Sequence, residues 1–266
     1  MAVLDPLDPS RLSSELLEPG SLWRSLEVLP ETGSTNADLA ARARVGEESG
    51  AILITDFQSA GKGRLGRTWT APPGSSIAMS ILVHPHDVAT SRWTWLPLLA
   101  GLSVVEALRR AAEAQAVLKW PNDVLVDGRK ICGILAERVE TPTGPACVIG
   151  MGLNVHLTED QLPVPTATSL AVLNPSRVAG RNPLITTILR AFEAIYAEWE
   201  TSDDDTDFAV SYVKRCDTIG RRVRVTLAGD RVTEGVAEAI DRDGRLVVRT
   251  EAGLETFGAG DVVHLR

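Results

Sequence analysis

The chain has 266 residues, enough for one large domain with a small one appended, and its 44% hydrophobic and 23% charged residues strike a globular balance. Its net charge of −8 is the wrong sign for a protein whose main task is gripping nucleic acid. The longest nearly apolar stretch, 95–105, is too short to span a bilayer, the first twenty residues lack the pattern of a secretion signal, and Cys132, Cys147 and Cys216 show no metal-ligand spacing, so a cytoplasmic protein with buried thiols and no bound metal of its own is expected.

In chain order, Ser34 or Thr35 caps a helix running to about Val45, with Gly46 and Gly50 marking its exit. Residues 51–57 and 76–83 read as buried strands. Between them, 58–74 is too polar and too rich in glycine and proline for a core element, and it forms a long loop, a frequent home of function. Residues 91–113 place Leu99, Leu102, Val105 and Leu108 at helical spacing. Short strands follow at 117–120 and 124–126. Asp127-Gly128 predicts a two-residue hairpin that returns through 131–139, with Lys130 opening the return strand. The next strand, 146–155, contains Gly150 and Gly152, as expected where a ligand or a second backbone comes close. Helices over 183–200 and 207–216 precede a change of texture near Thr218. From there short alternating segments (222–227, 233–240, 246–249, 254–257) between Gly-Asp and Asp-Gly turns predict a small all-β barrel. The expected fold is α+β, with a larger domain over 1–217 and the barrel over 218–266.

Two segments carry local positive charge against the acidic background, which points to an anionic ligand. Gly61-Lys62-Gly63-Arg64-Leu65-Gly66-Arg67 has the letter spacing of a dinucleotide fingerprint, yet no helix follows directly, and no Walker Gly-Lys-Ser/Thr is present. Glycines alternating with cations instead offer free backbone N–H groups to phosphate, with Arg64 and Arg67 available for forked hydrogen bonds. The second segment is Lys119-Trp120-Pro121-Asn122-Asp123, where Pro121 imposes an extended corner. Eleven residues beyond Lys119, the hairpin should carry Lys130 back towards Asn122 and Asp123.

These blocks, together with Gly33-Ser34-Thr35-Asn36, Gln58, Trp69, Lys130-Ile131-Cys132-Gly133-Ile134-Leu135 and Gly150-Met151-Gly152-Leu153-Asn154, resemble the biotin protein ligase family in identity and order over nearly all of the chain after about Trp23. The resemblance implies a mixed-sheet catalytic domain related to class II aminoacyl-tRNA synthetases, followed by an SH3-like barrel. It also implies that biotin and ATP, with Mg²⁺, give an acyl adenylate whose acyl group passes to a lysine of a biotin carboxyl carrier domain. On it, the biotin site maps to Ser34, Thr35, Asn36, Gln58, Lys62, Gly63, Arg64, Lys130, Gly150 and Gly152. The nucleotide side maps to Arg64, Arg67, Trp69, Lys119, Asn122 and Asn154, and catalysis to Lys130, Arg64, Arg67 and Asp123. Asp123 would orient or deprotonate the acceptor lysine; capping the Pro121 corner is the other role open to it. The sequence departs from the family pattern at Lys62, where arginine is usual, and at Cys132, where alanine is usual; lysine lacks arginine's bidentate fork. Lipoate or octanoate ligases and transferases of the same fold are the rival reading, and an octanoyl transferase would need a cysteine nucleophile such as Cys132. Repression of transcription by an N-terminal helix-turn-helix is disfavoured, because only about thirty residues, acidic in balance, precede Thr32. Neither DNA nor membrane is an expected partner, and monomer and homodimer are both open.

Overall fold

A computed structural model describes residues 6–227, 229 and 231–265; Asp230, in one of the expected Gly-Asp turns, lies outside them. The elements in chain order are α1 (Pro9–Leu16), β1 (Ser25–Leu29), α2 (Thr35–Arg44), β2 (Ala51–Thr55), β3 (Ser76–Val83), α3 (Leu96–Ala111), β4 (Ala116–Lys119), β5 (Asp123–Val126), β6 (Arg129–Thr141), β7 (Gly144–Asn154), α4 (Leu170–Leu173), α5 (Arg181–Thr201), α6 (Thr206–Val213), β8 (Arg222–Thr226), β9 (Val232–Ile240), β10 (Leu246–Thr250), β11 (Gly253–Phe257) and β12 (Asp261–His264).

Seven strands form one mixed sheet in the order β1-β2-β3-β7-β6-β5-β4, with β1 and β2 parallel and the other pairs antiparallel. Strands β2 and β3 are buried along their whole length, because helices cover both faces of the sheet; their sequences are accordingly mostly apolar, Thr55, Ser76 and Ser80 excepted. On one face α1, α3 and α5 pack into the main core around Leu12, Trp95, Leu99, Ile188 and Phe192. On the other face α2 closes a smaller core of Leu39, Ala43, Leu53, Leu82 and Val148.

Local chemistry explains the boundaries. Ser34 caps α2 and accepts from Ala37 N, and Gly46 follows the helix at φ 105°. The helix expected over 91–113 begins later, at Leu96. Residues 90–95 form a 3₁₀ turn, and Pro97 takes an early position where its missing N–H would be unpaired anyway. Asp127 and Gly128 both have positive φ (51° and 73°), the conformation a two-residue hairpin demands. At Pro121 the chain does not extend but reverses tightly through a cis Trp120–Pro121 peptide, so that Lys119 pairs directly with Asp123.

The second sheet is antiparallel, in the order β11-β10-β9-β8-β12. It shares the main core: Val223, Val225, Leu246 and Val248 belong to the same buried cluster as Trp95 and Leu98. Three successive carbonyls of the β9–β10 turn accept side-chain donors from the larger sheet's side of the molecule. Trp95 Nε1 bonds to Arg242 O (2.8 Å), Thr94 Oγ1 to Asp243 O, and Trp120 Nε1 to Gly244 O (3.1 Å). Asp241 Oδ1 holds that turn by accepting from Asp243 N (3.0 Å) and Arg245 N (2.9 Å). Among the described residues no helix is long and apolar enough to cross a membrane.

Candidate functional site

One cleft, with about 810 Å³ of non-atom space that includes open solvent, gathers the N-terminus of α2, the loop between β2 and β3, and the facing strands β6 and β7. Of the residues expected from sequence, Ser34, Thr35, Asn36, Gln58, Lys62, Gly63, Arg64, Arg67, Trp69, Asn122, Asp123, Lys130, Gly150 and Gly152 line it. Lys119 and Asn154 do not.

The polar end is built on the start of α2. Gln58 Oε1 accepts from both Thr35 N (2.8 Å) and Thr35 Oγ1 (3.1 Å), joining the helix to the first residue of the loop. Asn36 fills the space over Gly150, where a Cβ would lie 2.2 Å from its Oδ1, and the Trp69 ring fills the space over Gly152, where a Cβ would lie 2.6 Å from Cε2. Both glycines were expected to admit a ligand or backbone; they admit these two side chains. Gly133 pairs with Gly152 across the strands and also underlies Trp69, so the pair makes a flat floor for the indole.

The glycine-cation loop is itself a small hairpin. Trp69 N bonds to Gly61 O (2.9 Å) and Gly63 N to Arg67 O (2.7 Å), with a 3₁₀ turn over Arg64–Gly66 at the tip. Of the loop N–H groups expected to be free for phosphate, those of Gly63 and Arg67 are committed within the loop. Arg64 is half-buried and donates to Asn122 Oδ1 (3.0 Å) and Gly260 O (3.1 Å). Burial pulls its pKa below the ordinary arginine value, with Asp123 and Asp261 partly offsetting this. A cation desolvated in this way gains from an added anionic neighbour. Arg67 makes a two-pronged contact with Asp261, the longer arm 3.2 Å. The hydrogen bonds of this contact raise the arginine and hold the carboxyl below its usual range.

Lys130 reaches the cleft through a bulge. Leu125 pairs with Lys130 and Val124 with Cys132, leaving Ile131 as an extra residue. Ile131 and Cys132 both turn into the core, both 0% exposed, so Lys130 and Gly133 face the cleft although three positions apart. Lys130 Nζ lies 2.6 Å from Asp123 Oδ1, an ion pair without aligned hydrogen-bond geometry at that oxygen. The lysine's backbone is pinned by the segment before α4: Lys130 N bonds to Thr166 O (2.7 Å) and Thr168 N to Lys130 O (2.8 Å).

This explains where Asn154 went. It is 3% exposed and spends Nδ2 on Thr168 O (2.9 Å), propping the segment that holds Lys130 instead of facing the cleft as expected. Lys119 lies on the C-terminal side, where its charge lowers the pKa of Asp261 and of His264. Sequence reasoning missed Asp261, which joins the cleft wall from β12, and the strut over 166–168. No motif marks either, since both arrive by tertiary packing. Cys132 is buried with its thiol pushed up to about 12 by desolvation, which disfavours the thiolate a nucleophile needs. His84 and His86 stand edge to edge at 5.4 Å beyond β3, and no described group of three or more His, Cys, Asp or Glu could hold a metal.

The cleft thus sets the cations Arg64, Arg67 and Lys130 beside a polar pocket on a mixed sheet, an arrangement suited to an anionic ligand. The Biotin/lipoate A/B protein ligase family matches residues 29–154, and the Biotin protein ligase C terminal domain matches residues 218–265. The chain is 42% identical to the Biotin--[acetyl-CoA-carboxylase] ligase of Mycobacterium tuberculosis, covering 98% of this chain and 97% of the relative. It is 32% identical to a bifunctional ligase/repressor of Bacillus subtilis over 89% of this chain and 72% of that one. In fold it is similar to the biotin protein ligase of Aquifex aeolicus solved with biotin and ATP, with a TM-score of 0.77 and 26% identity, over 92% of this chain and 100% of that chain. The chain belongs to the biotin protein ligase family.

Proposed function

We propose that the chain activates biotin with ATP as biotinyl-5′-AMP and transfers the acyl group to a lysine of a biotin carboxyl carrier protein, in the cytoplasm and without a part in DNA binding. The observation that carries this reading is the convergence of Lys130, Arg64 and Arg67 on one cleft whose far end is a polar pocket at the start of α2. Biotin's carboxylate must attack the α-phosphorus, and two like charges about 4 Å apart repel by roughly 4 kcal/mol at an effective dielectric near 20. Lys130 bridges carboxylate and α-phosphate once it exchanges Asp123 for the incoming anions. Arg64 and Arg67 stabilise charge developing on the phosphate and the departing pyrophosphate. Ser34, Thr35, Asn36, Gln58, Lys62 and Gly63 surround the biotin end, with Gly150 and Gly152 seating Asn36 and Trp69 beside it. Trp69 and Asn122 serve the nucleotide, while Lys119 and Asn154 act one step behind the contact residues. Asp123, released from Lys130, orients or deprotonates the acceptor lysine. Mg²⁺ supplied with ATP would screen the phosphate charge that these cations leave. We take 1–217 as the catalytic domain, with the likeness to class II synthetases, and 218–266 as the SH3-like one.

Biotin-dependent exchange of labelled pyrophosphate into ATP tests the first half-reaction. Lipoate and octanoate run in the same assay separate the rival readings: exchange with either in preference to biotin overturns the assignment. The raised pKa of the buried Cys132 thiol speaks against an octanoyl-thioester route.

A further inference from the structure

Resting on the biotin reading, a second layer of residues fixes what the polar pocket can recognise. Ser80 of β3, Gly150 of β7 and Leu135 of β6 form one cross-strand row, and the Asn36 amide lies flat over it in the space that Gly150 leaves. Both Nδ2 hydrogens are used: one goes to Leu135 O (3.1 Å), the other to Glu137 Oε2 (2.8 Å). Oδ1 lies 2.6 Å from Ser80 Oγ, whose single proton can go to it or to Thr35 Oγ1 at 2.7 Å. A carboxamide oxygen accepts twice, so the one function Asn36 has to spare is an acceptor lone pair. If the amide were flipped, Oδ1 would confront a carbonyl and a carboxylate, neither of which can donate, and buried polar atoms left unpaired in this way are costly. Thr35 Oγ1 gives its proton to Gln58 Oε1 and can itself accept from Ser80 Oγ. Glu137 and Ser80 do not themselves line the cleft.

We propose that Glu137 and Ser80 are positioning residues that set the hydrogen-bond polarity of the pocket, holding Asn36 Oδ1 as an acceptor for a ring N–H of the acyl substrate. The pocket thereby selects a cyclic urea over analogues that have lost that donor. A site built to pair with a substrate N–H discriminates strongly against a ligand lacking it, because its own group is then stranded.

The test uses the full chain and pyrophosphate exchange with biotin, the two mono-N-methyl biotins, and desthiobiotin, which lacks the sulfur but keeps the urea. Glu137→Ala is expected to raise KM for biotin about tenfold with kcat nearly unchanged, and to shrink the preference over at least one N-methyl acid by about tenfold, equivalent to one lost hydrogen bond. The biotin-to-desthiobiotin ratio should stay put. Glu137→Gln keeps an acceptor oxygen for Asn36 Nδ2 and should restore the preference, and Ser80→Ala should weaken it. An equal loss for all four acids, an unchanged N-methyl preference in Glu137→Ala, or a Glu137→Gln variant as impaired as the alanine variant would overturn the inference. If the wild-type chain shows no biotin-dependent exchange, the biotin reading itself fails, a result distinct from unchanged ratios.

Discussion

Lys130 and Asp123 form a partly exposed ion pair in the cleft without substrate, and each has to leave the other for its proposed task. Lys130→Ala should therefore lower biotin-dependent pyrophosphate exchange by about a hundredfold or more, the usual loss for one electrostatic contact to a transition state; activity within a few-fold of wild type would remove it from the mechanism. Asp123→Asn should still form adenylate but stall on carrier protein, measured as trapped biotinyl-AMP. Loss of both half-reactions would instead make Asp123 a structural partner. Arg67→Ala should raise KM for ATP more than for biotin, and calorimetry with each ligand checks the order. At this scale the sequence was informative wherever contact follows from a hairpin, as for Lys130 and Asp123. It was silent on which way Asn154 and Lys119 face, because orientation there depends on segments distant in the chain: the 166–168 strut and the C-terminal sheet.

Among the elements, the bulge in β6 and the glycine floor do most to shape the cleft. Gly152→Ala would push a Cβ to 2.6 Å from the Trp69 ring and should displace it, whereas the Cβ of Gly133→Ala meets chiefly the flexible end of Lys130 at 3.0 Å. Such overpacking costs about 1–3 kcal/mol when the neighbour is fixed. Gly152→Ala should thus lose more thermal stability and more ATP affinity than Gly133→Ala, as read by melting and by KM; equal effects would count against the floor. Elements set by local signals could be read directly: the Ser34 cap, the Asp127-Gly128 turn, and the long helices α3 and α5. Helix α1 and strands β1 and β12 were not. β1 and β12 are short and only partly buried along the strand, and α1 is stabilised by docking Leu12 and Leu16 on α5 rather than by a long periodic face. The bulge was also hidden, since a strict period of two would have set Lys130 and Gly133 on opposite faces.

For the whole molecule, the main core spans both sheets, so heat should unfold them together. Two histidines tie that stability to pH. Burial, the largest cause for each, holds His84 and His264 below the ordinary imidazole value. A depressed folded pKa means that the unfolded chain takes up protons first, so their contribution is present above about pH 6.5 and is lost as pH falls through the folded values. Melting temperature should fall between pH 7 and 5, and replacing both histidines with asparagine should flatten that slope. Trp120→Phe, which strands the Gly244 carbonyl, should cost about 1–3 kcal/mol by the price of a buried unmade bond, measured by denaturant unfolding.

The grip on the β9–β10 turn is made through main-chain oxygens, so the larger sheet's side reads the shape of that turn, which Asp241 holds, more than its other letters. A C-terminal unit borrowed from a distant relative would need, besides the apolar face that completes the shared core, a hairpin offering three oxygens in the same succession, which a near-identical unit with one residue inserted there would lose. Compatibility between the halves of a chimera is thus decided by turn length before it is decided by resemblance.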